Sequence, residues 1–276
     1  MTSVAIIIVT HNSQDVLPRC VQALQQQRIR TEIIIVDSGS EDVAYLETYR
    51  EFSGIETILK ENIGFSRANN AGWQAVSQTV EFVLFLNPDA FVTENALQKA
   101  LEVLKKNEKI GCVGARLLGF DKNGGVSTNL LDSTGVFRKW YGCWYDRNQG
   151  EKDTGQYSTP EDVPALCGAF LFCRQALLVQ LAQNSEDSAS VFDPDFFLYK
   201  EDIELCLRIR KLGWRIVYDP EITVYHCRGW QKNRRNIPCR QRLIAAKSEV
   251  LLYRKHPSLY ILWALLKYGL VRLLKI

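Results

Sequence analysis

Two phosphate-binding signatures are missing from this 276-residue chain. No Gly-x-Gly-x-x-Gly follows the first apolar run, which removes the usual dinucleotide fingerprint. No Gly-x-x-x-x-Gly-Lys-Ser/Thr occurs, which argues against a P-loop. Cys-x-x-Cys pairs are missing too. The eight cysteines sit singly, several inside apolar runs, and read as small buried thiols in a reducing compartment rather than a zinc site or disulfide framework. No uncharged apolar run reaches the roughly 18 residues of a membrane span. The opening stretch, Met1 to Val9, lacks the basic region of a signal peptide and reads as a first buried strand. Internal repeats and low-complexity tracts are absent.

What is present is enough apolar material, 46% of residues, for a full core. Val4 to Thr10 and Glu32 to Asp37 are short runs with apolar, mostly β-branched interiors, as parallel strands covered on both faces should be. Asp15 to Gln27 between them carries apolar residues at helical spacing, completing a βαβ unit. Helices are expected over 42–52, 67–80, 95–107, 175–182 and 203–212. Strands are expected over 82–86, 110–115 and 214–218, the last stopped by Asp219-Pro220, and order returns over 165–174. Residues 119–160, rich in Gly, Asp, Asn, Ser and Thr, read as an irregular segment with a short hairpin or two. The fold class is α/β, a mostly parallel sheet flanked by helices.

Charge divides the chain unevenly. Residues 228–276 hold twelve Lys/Arg and one acid, Glu249, against 22 basic and 30 acidic groups elsewhere. We therefore divide the chain into a domain over 1–227 and a basic, apolar helical segment over 228–276. The basic end suggests an anionic partner or else a solvated surface. Leucine-rich residues 257–276 suit a helix at a membrane interface, with Lys267, Arg272 and Lys275 within roughly 140° of arc. A packing or dimerising helix is the rival reading.

In an open α/β sheet, ligands bind beyond the carboxyl ends of the strands. Three expected strand ends deliver Asn12, Asp37, Asp42, Asn87 and Asp89 toward one rim. One carboxylate there can accept hydrogen bonds from a ribose or base; another can hold Mg²⁺ or Mn²⁺ against a diphosphate. Asp37 and Asp42 can equally cap turns and helix starts. Farther on, several aromatics from Phe192 precede Glu201-Asp202 at the start of a helix, whose dipole favours a charged carboxylate. A plain helix cap followed by core aromatics accounts for that pattern as well.

Taken in chain order, these stretches resemble the family 2 glycosyltransferases of the GT-A fold, most of all the rhamnosyltransferase-like bacterial members. The matching residues are Ile8-Val-Thr-His-Asn12, Ile35-Val-Asp-Ser-Gly-Ser-Glu-Asp42, Asn62-Ile-Gly-Phe-Ser-Arg-Ala-Asn-Asn-Ala-Gly72, Leu84-Phe-Leu-Asn-Pro-Asp89, Cys167-Gly-Ala-Phe-Leu-Phe-Cys-Arg174 and the run from Phe192 to Trp214. The resemblance implies a Rossmann-like sheet and an inverting transfer from a nucleoside-diphosphate sugar to a glycan or lipid-linked acceptor, in bacterial surface polysaccharide assembly. It implies Thr10, Asn12, Asp37 and Asp42 around the nucleoside, with Arg67 and Asn87 near the donor. Asp89 would be the metal-contacting carboxylate, joined by His226, with Mg²⁺ or Mn²⁺ as cofactor. Asn87 stands where many relatives carry the first Asp of an Asp-x-Asp motif. Asp202 would be the catalytic base, and basic residues such as Arg234 or Arg235 would close as a lid. The expected setting is cytoplasmic, peripheral on the inner face of the membrane, with no nucleic-acid partner. A catalytically silent sugar-nucleotide or glycan-binding protein of the same fold is the alternative.

Overall fold

The computed structural model describes residues 3–185, 187, 189–227 and 237–274. Strands β1 (Val4–Thr10), β2 (Thr31–Ser38), β3 (Ile55–Lys60) and β4 (Phe82–Leu86) pair in parallel in the order β3-β2-β1-β4. Antiparallel β11 (Phe170–Arg174) joins β4 to β6 (Ile110–Asp121), and β12 (Arg215–His226) lies parallel beside β6. Short β5 (Ala90–Val92), β7 (Val126–Ser133) and β10 (Glu161–Asp162) pair antiparallel along these last two strands. The α/β sheet, largely parallel and flanked by helices, is as expected.

Both faces of the sheet are covered, which explains the continuous apolar runs. Val4, Ile6 and Ile8 of β1 face a core built with α1 (Leu17–Gln25) and α4 (Ala96–Lys106). Ala5, Ile7 and Val9 face the opposite core. Helices α3 (Phe65–Ala75), α5 (Gln175–Gln183) and α6 (Glu201–Lys211) pack there, with α7 (Cys239–Lys255) and α8 (Ile261–Leu274).

Several boundaries differ from expectation. The helix expected over 42–52 shrinks to a 3₁₀ turn at Ala44–Leu46 and the single turn α2 (Glu47–Arg50). The helix expected over 67–80 starts at Phe65 and ends at Ala75. Asp219-Pro220 does not stop its strand: β12 continues to His226 across a register shift between Asp219 and Thr223, and a bulge is where a sheet tolerates proline. Residues 119–160 are more ordered than expected, since β6 runs on into them, β7 pairs back on β6, and β8 (Val136–Arg138) and β9 (Trp144–Asp146) form a hairpin.

In the basic tail, Lys267 turns inward to bond Glu249, which is fully buried, so it does not join an outward basic stripe. Lys275, Arg234 and Arg235 lie outside the described residues. Among the described residues no helix is long and apolar enough to cross a membrane.

Candidate active site

The carboxyl ends of β1 and β4 open onto a cleft of about 640 Å³, at the point where the strand order reverses. Thr10 and Ser38 reach it from β1 and β2, Asn87-Pro88-Asp89 from the turn after β4, and His226 from the end of β12. Gly168, Glu201 and Asp202 close the far side. Residues far apart in the chain thus meet at one cavity.

On the strand-end side, Asp37 is buried and saturated by its own loop. It accepts the Ser40 N–H at 2.9 Å, the Ser40 hydroxyl and the Tyr45 hydroxyl. Tyr45 also bonds Thr10 at 2.9 Å, so one phenol ties both strand ends together. Asn12 holds the same loop from the other side, its amide oxygen accepting the Glu41 N–H and its own N–H donating to Ser40. The loop turns at Gly39, whose φ is +77°; a Cβ there would strike the backbone of Asn62. Gly64, at φ +80°, is equally constrained, because a Cβ would strike Phe197.

Not every expected residue faces the cavity. Asp42 is exposed and accepts the Ala44 N–H, so it caps the following turn. Arg67 donates to the Pro194 carbonyl at 3.1 Å. Asn12, Asp37, Asp42 and Arg67 all lie outside the cleft lining. The Ala-Asn-Asn run of α3 has a mainly structural use: buried Asn70 donates to the Phe192 carbonyl and accepts the Val191 and Phe192 N–H groups.

At the cleft floor, antiparallel pairing of β5 with β12 sets His226 opposite Ala90 and therefore beside Asp89. His226 Nε2 is 3.3 Å from Asp89 Oδ1, and its Nδ1 is 2.8 Å from Asp132 Oδ2 on β7. Burial opposes charge on the ring, but Asp89 and Asp132 outweigh it and hold the imidazolium up to about 10. Burial likewise works against ionised Asp89, and the histidine overrides it, keeping the carboxyl below its ordinary range. The Asn87 side-chain oxygen is buried without a hydrogen-bond partner at the same place. Among the described residues no three His, Cys, Asp or Glu side chains are arranged to hold a metal. Asp89 and the orphaned Asn87 oxygen instead offer a partial donor set, which His226 joins once a cation displaces its Nε2 proton. That fits a hard cation whose remaining ligands come from phosphate and water.

On the far side, Tyr199 and Lys200 both adopt left-handed backbone, φ 69° and 71°, and swing the chain into α6. Consecutive left-handed non-glycine residues are strained, and such strain gathers at functional sites. Asp202 accepts the Gly168 N–H at 2.9 Å. Glu201 is buried with one carboxyl oxygen unpartnered; burial first, then the neighbouring Asp202 charge, pushes it up to about 8. Glu201 therefore keeps its proton at neutral pH. Glu204 is occupied by Arg208, at 2.8 Å, and by His256. Asp202 also accepts the Ile203 N–H at 2.8 Å and lines the cleft.

The sequence marks Glu201 only as the neighbour of Asp202 at the start of a helix, and does not mark Tyr45 or Asp132, a lone acid in a polar strand.

The glycosyl transferase family 2 model matches residues 5–181. The Sinorhizobium fredii protein y4gI is 26% identical over 81% of this chain, which spans only 24% of that relative. Rhamnosyltransferase WbbL of Escherichia coli is 24% identical, covering 81% of this chain and 83% of the relative. The structure of GalNAc-T7 with UDP, GalNAc and Mn²⁺ superposes with a TM-score of 0.65 at 15% identity, over 99% of this chain and 58% of that one. The strand-end cleft, the Asn87-Pro88-Asp89 turn and the carboxyl pair opening α6 are thus carried on a fold already known, and the chain belongs to glycosyl transferase family 2.

Proposed function

We propose that the protein is an inverting glycosyltransferase moving a hexose from a nucleoside-diphosphate sugar to an acceptor hydroxyl. The observation that carries this reading is the convergence of Asp89 and Asp202 on one cleft. Thr10 contacts the nucleoside, while Asn12 and the Asp37–Ser40–Tyr45 network hold the loop beside it. Asp42 and Arg67 act only through the segments they brace. Asn87, Asp89 and His226 would hold Mg²⁺ or Mn²⁺, the cation displacing the Nε2 proton, and Asp132 fixes the ring of His226 so that Nε2 faces Asp89. A divalent cation, when bound, offsets the charge that grows on the departing diphosphate.

Asp202 removes the acceptor proton as the hydroxyl oxygen attacks the anomeric carbon from the face opposite the diphosphate. The bond to the diphosphate oxygen breaks as the new glycosidic bond forms. Protonated Glu201 keeps a second negative charge away from that reaction. Arg240, at the start of α7, lines the cleft and is the described counterpart of the expected basic lid. Residues 1–227 are then the catalytic unit, and 228–276 the lid and tail.

The likeness to WbbL supports a deoxyhexose such as rhamnose as the donor sugar, and a bacterial surface polysaccharide or lipid-linked glycan as the acceptor. A cytoplasmic setting, peripheral on the membrane's inner face, goes with such an acceptor.

The test is to incubate the full chain with dTDP-rhamnose, UDP-sugars and GDP-sugars, with Mn²⁺ or Mg²⁺, and to follow nucleotide release. Metal-dependent release of one nucleotide, lost in Asp202→Asn, supports the transferase. Tight donor binding with no release on any acceptor extract would support the silent binding protein instead.

A further inference from the structure

Helix α8 presents the wrong face to water. Ala264 and Val271 are buried, whereas Leu262, Leu266, Leu270 and Leu273 all point outward. At about 100° per residue those four leucines fall within roughly 80° of arc, opposite the two buried positions. Leu262 is 67% exposed and Leu273 79%, values a solvated helix face reserves for polar side chains. The preceding Leu259 is 85% exposed.

A second element joins this face. The β8–β9 turn carries Trp140, 86% exposed. Ring contacts run from Trp140 to Tyr141, with centroids 5.3 Å apart, and on to Trp263 of α8 at 5.1 Å. The turn is locked to the tail: Tyr253 of α7 donates to the Gly142 carbonyl, and the Arg138 guanidinium lies over Tyr260 at 4.5 Å. Gly142, at φ +98°, lets the strand turn meet Tyr260, since any Cβ there would strike that ring.

The exposed cations of these elements are Arg138 at the end of β8, Lys139 in the turn, and Arg240, Lys247, Arg254 and Arg272 on the two helices, whereas Lys255 of α7 is paired with Asp193 and Asp195. The one acid of residues 228–276, Glu249, is buried and bonded to Lys267. Two copies of this face would set cation against cation. An anionic lipid surface supplies the opposite charge, and interfacial leucine and indole suit its acyl boundary.

We propose that the outward leucines of α8, together with Trp140 of the β8–β9 turn, form one surface that docks on an anionic bilayer. The surface uses two elements far apart in sequence and holds the protein on the leaflet without crossing it. The β8–β9 hairpin and α7 also line the cleft, through Trp144, Tyr145, Gln241 and Ile244. On the transferase reading, docking therefore brings a lipid-borne acceptor to the cleft mouth; the docking itself does not depend on that reading.

Flotation of the full chain with vesicles tests this, using phosphatidylcholine alone and phosphatidylcholine mixed with phosphatidylglycerol. The wild type should float with the anionic vesicles and be released by salt. Leu262→Gln combined with Leu266→Gln should lower the bound fraction by about tenfold or more, and Trp140→Ala by a smaller factor. Near-ultraviolet circular dichroism and a donor thermal shift confirm that each variant is folded, and an absent donor shift in all of them would count against the transferase, not the docking. Undiminished flotation of the leucine variant overturns the proposal. So does equal binding to neutral vesicles, or a wild-type dimer in light scattering that the same substitutions dissociate.

Discussion

The two sides of the cleft treat their buried carboxyls in opposite ways. Asp37, on the strand-end side, accepts three hydrogen bonds from Ser40 and Tyr45 and is finished before any ligand arrives. Glu201, on the α6 side, keeps an unpartnered oxygen and its proton, beside an Asp202 braced by the Gly168 N–H. A saturated carboxylate fixes shape, while the pair at the start of α6 keeps a proton on Glu201 beside the cleft. The strand-end side should thus govern donor affinity, and the α6 side turnover.

Asp202→Asn is the sharpest way to break this division. We expect turnover to fall by ~10² to 10⁴ with the donor dissociation constant almost unchanged, as read by steady-state kinetics and calorimetry. A comparable loss of donor affinity would erase the distinction. Asp89→Ala should weaken Mn²⁺ binding beyond the ~10- to 100-fold typical of a supporting residue, and raise the donor KM with it. Asp132→Asn leaves Asp89 in place but frees the ring of His226, so Mn²⁺ affinity, measured by electron paramagnetic resonance of the free ion, should drop by about tenfold.

Glu201 gives a pH test. Its carboxyl binds its proton more tightly folded, at about 8, than at its ordinary 4.5. The native state therefore holds more protons than the unfolded state between those values. Stability from this group is complete below 4.5, declines as pH rises through that window, and is gone above about 8. Denaturant melts of Glu201→Gln should lack this decline, so the variant gains on the wild type from pH 5 to 8. Parallel curves would place the proton elsewhere. The smallest effect is expected at Asp42: Asp42→Ala removes one exposed turn bond, costing about 1 kcal/mol or less, with donor KM unchanged.

The same division governs what the sequence disclosed. β1, β2 and β4 announce themselves because burial on both faces makes the centre of each run wholly apolar. Thr10, Asn87 and Asp89 follow, since a strand end must lie at the sheet's rim. β3 is hidden in the sequence because an edge strand, Ile55–Lys60, is half exposed and mixes Glu, Thr and Lys with its apolar residues. Pro220 reads as the end of β12, although a bulge accommodates it. Asp132 was invisible for another reason. Its partner His226 lies 94 positions away, and only the pairing of β7 with β6 and β6 with β12 brings them together.

The central claim is spatial, and diffraction from crystals soaked with Mn²⁺ and a non-hydrolysable sugar nucleotide tests it most directly. The account predicts an anomalous Mn²⁺ peak against Asp89 and His226, with the sugar ring lying between that ion and the Asp202 carboxylate. A donor seated with its anomeric carbon out of reach of Asp202, or a metal bound away from Asp89, would contradict it.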